Sequence, residues 1–85
     1  MEYVIVAFRS RAHTVRFSEF LRANGLANEI VNTPKEAGVG CGLSVKISKN
    51  NFSHAKTAVR VQALSSFAGF FLVSVIGGKR IVRTI

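Results

Sequence analysis

The sequence predicts an α+β domain ordered β-α-β-β-α-β, and three observations carry that prediction. Two stretches, Glu2 to Phe8 and Phe70 to Val75, are apolar on both faces, as central strands are. Two others place apolar residues three and four apart, the spacing of amphipathic helices. Turn formers at Gly25, Pro34 and Gly77-Gly78 punctuate the chain between them.

The elements follow in order. Arg9-Ser10 breaks the first strand, and Ser10 is placed to cap a helix that runs to Asn24 and stops at Gly25. His13, Thr14, Phe17, Phe20 and Leu21 share one side of it. Ala27 to Thr33 reads as a second strand, ended by Pro34. Lys35 to Gly40 reads as a loop. Leu43, Val45 and Ile47 then alternate with Gly42, Ser44 and Lys46, which predicts a strand with one buried face. Lys49-Asn50-Asn51 opens a second helix, with Phe52, Ala55, Val59 and Ala63 near its inner stripe, and the pattern fades at Ser65-Ser66. After the fourth strand, Gly77-Gly78 turns the chain, and Arg80 to Ile85 has the composition of a short fifth strand. The order is that of the ferredoxin-like split βαβ sandwich, an antiparallel sheet with both helices on one face. A permuted α+β sandwich and a three-stranded variant stand as alternatives.

The 85 residues fit one domain, with a core of about residues 2–76 and a basic extension at 77–85. At 48% hydrophobic residues the chain is expected to fold without disulfide or metal, and no cofactor is implied. No apolar run approaches the roughly 20 residues that a membrane span requires. With no basic leader at Met1-Glu2-Tyr3 and one unpaired cysteine, the expected location is cytoplasmic.

Twelve Lys and Arg stand against four Glu and no Asp, for a formal charge of +8. Such a chain attracts anions, including RNA and acidic proteins. The cations are mostly scattered, apart from Arg9 with Arg11 and the tail Lys79-Arg80-Ile81-Val82-Arg83. The dispersed glutamates offer no carboxylate pair. The glycine run Gly38-x-Gly40-x-Gly42 leads into a strand rather than a helix, so it matches neither phosphate-loop nor dinucleotide fingerprints. RNA-binding sheets of this topology display aromatics on strands one and three, where strand three here offers only Ser44 and Lys46.

Cys41 is the single cysteine, flanked by Gly40 and Gly42. In the predicted topology the end of strand one, the start of helix one, the loop before strand three and the start of strand four share one edge. Cys41 then sits beside a helix N-terminus, with Arg9, Ser10, Arg11 and His13 close by. A helix N-terminus and cations favour a thiolate over a thiol, and glycine N–H groups can hold an attached anion. Arg9, Ser10, Arg11, His13, Gly40 and Gly42 are therefore the candidate anion-stabilising residues around Cys41. The opposing reading places Cys41 in the core, in register with Leu43 and Val45.

Tyr3-Val4-Ile5-Val6-Ala7-Phe8-Arg9-Ser10, then Thr33-Pro34-Lys35-Glu36, then Cys41-Gly42-Leu43 before an alternating strand, resemble the small bacterial and archaeal selenium/sulfur carrier-like family. The resemblance spans roughly residues 3–72 and is most specific at Thr-Pro-basic followed by Cys-Gly-Leu. It implies a carrier that holds sulfur or selenium on Cys41 as a persulfide-type adduct, with Pro34 and Gly42 as its frame. Donor and acceptor proteins are the implied partners. The chain departs from the pattern at Gly38-Val39-Gly40, where a serine-rich approach is expected, and in its basic tail from Gly77 onward.

Three readings follow. The first is a non-enzymatic carrier whose working group is the Cys41 thiolate. The second is a basic module that docks RNA or an acidic protein, with Cys41 structural. The third is architectural: strands one and four are apolar on both faces, so the sheet face without helices should bury against something, most simply in a homodimer.

Overall fold

The computed structural model describes residues 1–85. Strand β1 (Glu2–Phe8) leads into helix α1 (Arg11–Ala23), then β2 (Glu29–Asn32), β3 (Leu43–Ser48), helix α2 (Phe52–Gln62), β4 (Phe67–Ile76) and β5 (Lys79–Thr84). The five strands form one antiparallel sheet in the order β2-β3-β1-β4-β5. This is the ferredoxin-like α+β arrangement, with one strand added beyond β4. The Gly77-Gly78 turn closes the β4–β5 hairpin with both glycines at positive φ, 57° and 77°.

Side-chain alternation along β1 builds two cores. Val4, Val6 and Phe8 point toward the helices and pack with Val45 and Ile47 of β3, Phe17 and Leu21 of α1, and Ala55 and Ala58 of α2. Ile5 and Ala7 point the other way and pack with Phe71 and Val73 of β4. Val4 through Phe8 are all buried, as a strand covered on both faces requires.

Three element boundaries differ from expectation. Strand β2 is shorter than Ala27–Thr33, because the Asn28 amide donates to the Ser18 and Leu26 carbonyls and its carbonyl oxygen accepts from the Ser18 hydroxyl. Strand β4 begins earlier, at Phe67, and carries a bulge where Ala7 and Phe8 of β1 face Gly69 and Phe67. The second helix opens with a 3₁₀ turn at Lys49–Asn51 and ends at Gln62, with Ala63 in the left-handed region at φ 47°.

The largest difference concerns the sheet face away from the helices. The β2–β3 connection is not a plain loop. After the buried Pro34, a 3₁₀ turn at Lys35–Ala37 carries the chain across that face toward β5. Ala37 and Val39 pack on the Ile5, Ala7, Phe71 and Val73 cluster, joined from β5 by Val82. At the far side, Arg80 of β5 donates two hydrogen bonds to the Glu36 carboxylate, at 2.9 and 3.3 Å. The face on which the homodimer expectation rests is thus buried by the chain's own loop and tail, with Ile5, Ala7 and Val73 each at 0% exposure. Strand β3 is corrected for the same reason. Its outer face is expected to be open, yet Ser44 is fully buried, with its hydroxyl 2.6 Å from that of Thr33.

The Arg80 guanidinium holds the Glu36 carboxyl below its ordinary value of 4.5. Its contribution is therefore full above that value and lost as pH falls through the lowered folded value. We expect the amides that seal the 3₁₀ turn, Ala37 and Gly38, to lose exchange protection in Glu36→Gln at neutral pH. The wild-type protein should fall to the same protection as pH drops from neutrality through the lowered Glu36 value. Hydrogen exchange followed as a function of pH checks this. Separately, Ala63→Gly should raise stability by about 1 kcal/mol, since glycine carries no Cβ penalty in the left-handed cap position. Urea unfolding measures that gain.

Candidate functional site

The edge predicted to gather around Cys41 is assembled by backbone hydrogen bonds. Phe8, the last residue of β1, accepts the Cys41 N–H through its carbonyl at 3.2 Å. Arg9 donates its N–H to the Ser66 carbonyl at 2.8 Å, and Thr33 donates its N–H to the Gly42 carbonyl at 2.9 Å. The ends of β1, β2 and α2 and the starts of α1, β3 and β4 therefore meet on one rim.

Cys41 is half-buried and unpaired. Its side chain lies on the helix side of the sheet, in register with Leu43 and Val45. The Sγ is 3.6 Å from the Leu43 carbonyl oxygen, positioned to donate to it as a thiol, and 3.9 Å from the Thr14 hydroxyl. Thr14 belongs to the first turn of α1 and is fully buried. Its single O–H lies 3.2 Å from the Ser10 carbonyl and 3.3 Å from the Leu43 carbonyl, so it can serve only one of them at a time. When Sγ is anionic, that hydroxyl is the nearest side-chain donor able to turn toward it.

The other candidates divide. The Ser10 hydroxyl caps α1, accepting the His13 N–H at 3.2 Å, and the Ser10 N–H goes to the Ser66 hydroxyl. His13 Nδ1 lies 2.6 Å from the same Ser66 hydroxyl. Both side chains thus hold the α1–β4 junction, and neither hydrogen-bonds the sulfur. Arg11 is exposed at the first position of α1 and makes no ion pair. Arg9, Gly40 and Gly42 are exposed and line a cleft beside the cysteine. Gly40, at φ 96°, lies so close to the end of β1 that an added Cβ would sit 3.2 Å from the Phe8 carbonyl oxygen. Gly42, at φ 97°, has open space around it.

Sequence reasoning missed Thr14 and Ser66. Thr14 read as one more residue of the inner helix stripe, although the first inward position after the cap is the one that faces the start of β3. Ser66 gave no signal, because its partners His13, Ser10 and Arg9 are more than fifty positions away.

The electrostatics of the rim are one-sided. No acidic residue occupies the first turn of α1, and a basic residue stands first in it, where the helix dipole favours an anion. Three of the four glutamates pair elsewhere, Glu36 with Arg80, Glu29 with Lys46 and Glu2 with Lys49, and Glu19 lies further along α1. The Lys49 ammonium and the Ser74 hydroxyl hold the Glu2 carboxyl low, at the opposite end of β1. No group of three or more His, Cys, Asp or Glu side chains is arranged to hold a metal. No helix is long and apolar enough to cross a membrane.

A buried central strand, two helices on one face and a lone cysteine on the rim define a small single-thiol α+β protein. The chain belongs to the family described as Putative Se/S carrier protein-like, whose model matches residues 2–65. No curated protein and no solved structure matches it. The matched segment runs from β1 past the end of α2, so it includes Cys41 and every element that touches its sulfur.

Gly40→Ala should destabilise by about 2–3 kcal/mol, through a left-handed backbone and contact with the Phe8 carbonyl. Gly42→Ala carries the backbone cost alone and should lose about 1–2 kcal/mol. Urea midpoints of the two variants, compared at one pH, give the order.

Proposed function

We propose that this protein carries sulfur or selenium on Cys41. The observation behind the reading is the setting of Sγ. Cys41 is half-buried on the rim, and its Sγ lies next to the first turn of a helix that begins with arginine and lacks any acid there, with the Thr14 hydroxyl poised beside it. Membership of the carrier-like family points the same way.

The transfer balances with one thiol. The Cys41 thiolate attacks the outer sulfur of a donor persulfide, the donor's S–S bond breaks, and the donor leaves as a thiolate. Cys41 then holds a persulfide anion, and the reverse displacement onto an acceptor thiolate returns the free thiolate. No net oxidation occurs, so no second cysteine is needed. The residues around Sγ need only favour the anion and leave its outer atom reachable. Thr14 does the first by donating to sulfur when the Leu43 carbonyl loses the thiol proton. The half-buried position of Cys41 on the rim serves the second, while Gly40 and Gly42 line the neighbouring cleft. Arg9 and Arg11 contribute through their field at the rim rather than by contact. Residues 1–85 act as one domain in this reading, and donor and acceptor are proteins that present a persulfide or a thiol.

The docking-module alternative has less to draw on. Arg80 of the basic tail is engaged with Glu36, and the sheet face that would display bases is covered by Ala37 and Val39.

Incubation with a low-molecular-weight persulfide, followed by mass spectrometry of the Cys41 peptide without reductant, should show one added sulfur that dithiothreitol removes. Cys41→Ser should show none. An equal load on Cys41→Ser would sink the reading. Thr14→Val keeps the shape of the side chain and removes its donor. It should slow loading about fivefold, the loss of roughly 1 kcal/mol of anion stabilisation, with the fold retained by circular dichroism.

A further inference from the structure

Beside the cysteine, the β2–β3 connection folds around an open cleft of about 560 Å³ whose lining includes Arg9, Thr33, Lys35, Gly38, Gly40 and Gly42. Cys41 is not part of that lining, and its sulfur turns to Thr14 on the helix side. The cleft is therefore a separate feature, one residue from the thiol along the chain. Only one of its eight lining residues is hydrophobic, so it does not suit an apolar ligand.

Its charged side chains all have one sign. Arg9 and Lys35 are exposed cations without a carboxylate partner. The nearest acid in sequence, Glu36, is turned away onto Arg80. The backbone adds donors. The Cys41 and Gly38 N–H groups are spent on the Phe8 and Lys35 carbonyls, while those of Val39, Gly40 and Gly42 meet no acceptor within the chain. Positive φ at Gly38, Gly40 and Gly42 alternates the peptide direction, the geometry by which successive N–H groups form anion-binding concavities. The Thr33 hydroxyl is held by Ser44, which fixes the wall.

We propose that this cleft is a binding site for a small tetrahedral oxyanion, such as inorganic phosphate or a sulfur oxyanion, held between Arg9 and Lys35 and capped by free glycine-loop N–H groups. The carrier reading is not required for this. If it holds, the same site would seat the oxyanion portion of a small chalcogen donor one residue from the receiving thiol.

Titration of the ¹⁵N-labelled protein with inorganic phosphate, and in parallel with thiosulfate, tests the site at constant ionic strength against chloride. Saturable shifts are expected at Val39, Gly40 and Gly42. Lys35→Ala and Arg9→Ala should each weaken binding about tenfold, and Lys35→Arg should restore it to within about threefold. Cys41→Ser should bind both anions like the wild type, so that a failure of the carrier reading leaves this result standing. Tighter binding of thiosulfate than of phosphate would name a sulfur oxyanion as the ligand, and the reverse order a phosphate. Shifts that do not saturate, that spread over Lys56, Arg60 and Lys79 alike, or that survive Lys35→Ala would overturn the proposal. So would tighter binding of a short single-stranded RNA with shifts centred on Lys79 and Arg83.

Discussion

The burial of β1 on both faces is the constraint from which the rest of this structure follows. Five consecutive residues, Val4 to Phe8, are removed from water, and complete burial of a side chain such as valine or phenylalanine contributes about 1.5–3 kcal/mol. Exposed ion pairs such as Arg80–Glu36 act on a much smaller scale. A strand so placed must have a partner on each edge and a layer on each face. Strands β3 and β4 supply the edges, the two helices supply one layer, and the β2–β3 connection with β5 supplies the other. Where β1 ends, its last carbonyl and the next N–H anchor Cys41 and Ser66. The rim is thus a by-product of the core.

The helix-side half of this architecture was legible in the residues. Apolar spacing in α1, alternation in β3 and the double-faced character of β1 and β4 are local signals, and each matched its element. Gly77-Gly78 and the β-prone tail forecast β5 for the same reason. The outer layer was not legible. Ala37 and Val39 are two modest apolar residues in a glycine-rich stretch, with no periodicity to mark them as cover for a sheet. Their role depends on a chain crossing that links positions 36 and 80. Buried Ser44 was opaque for a related reason: a serine reads as solvent-facing until its partner Thr33 is known.

At the site, topology carried more than motif did. Placing Cys41 beside the start of α1 required only strand directions, and its lean toward the helices required only the alternation through Leu43 and Val45. What topology cannot supply is the direction of individual polar groups. Ser10 and His13 lie close to the cysteine in the fold yet spend their hydrogen bonds on capping and on Ser66. The charge imbalance is clearer in three dimensions than in composition. Three glutamates pair with three of the twelve Lys and Arg residues, leaving nine cations without a carboxylate, Arg9, Arg11 and Lys35 among them.

The alternating strand directions also sort the two ends of the described chain. The Met1 amino group lies by the Val75 carbonyl at one end of the sheet, while β5 runs back toward the thiol-bearing rim, where the Ile85 N–H is held by the Phe70 carbonyl. A tether attached through residue 85 therefore emerges toward the thiol-bearing rim, and one attached through residue 1 emerges at the opposite pole. For immobilisation, or for fusion to another module, the choice of end decides whether the sulfur faces the attached body or open solution.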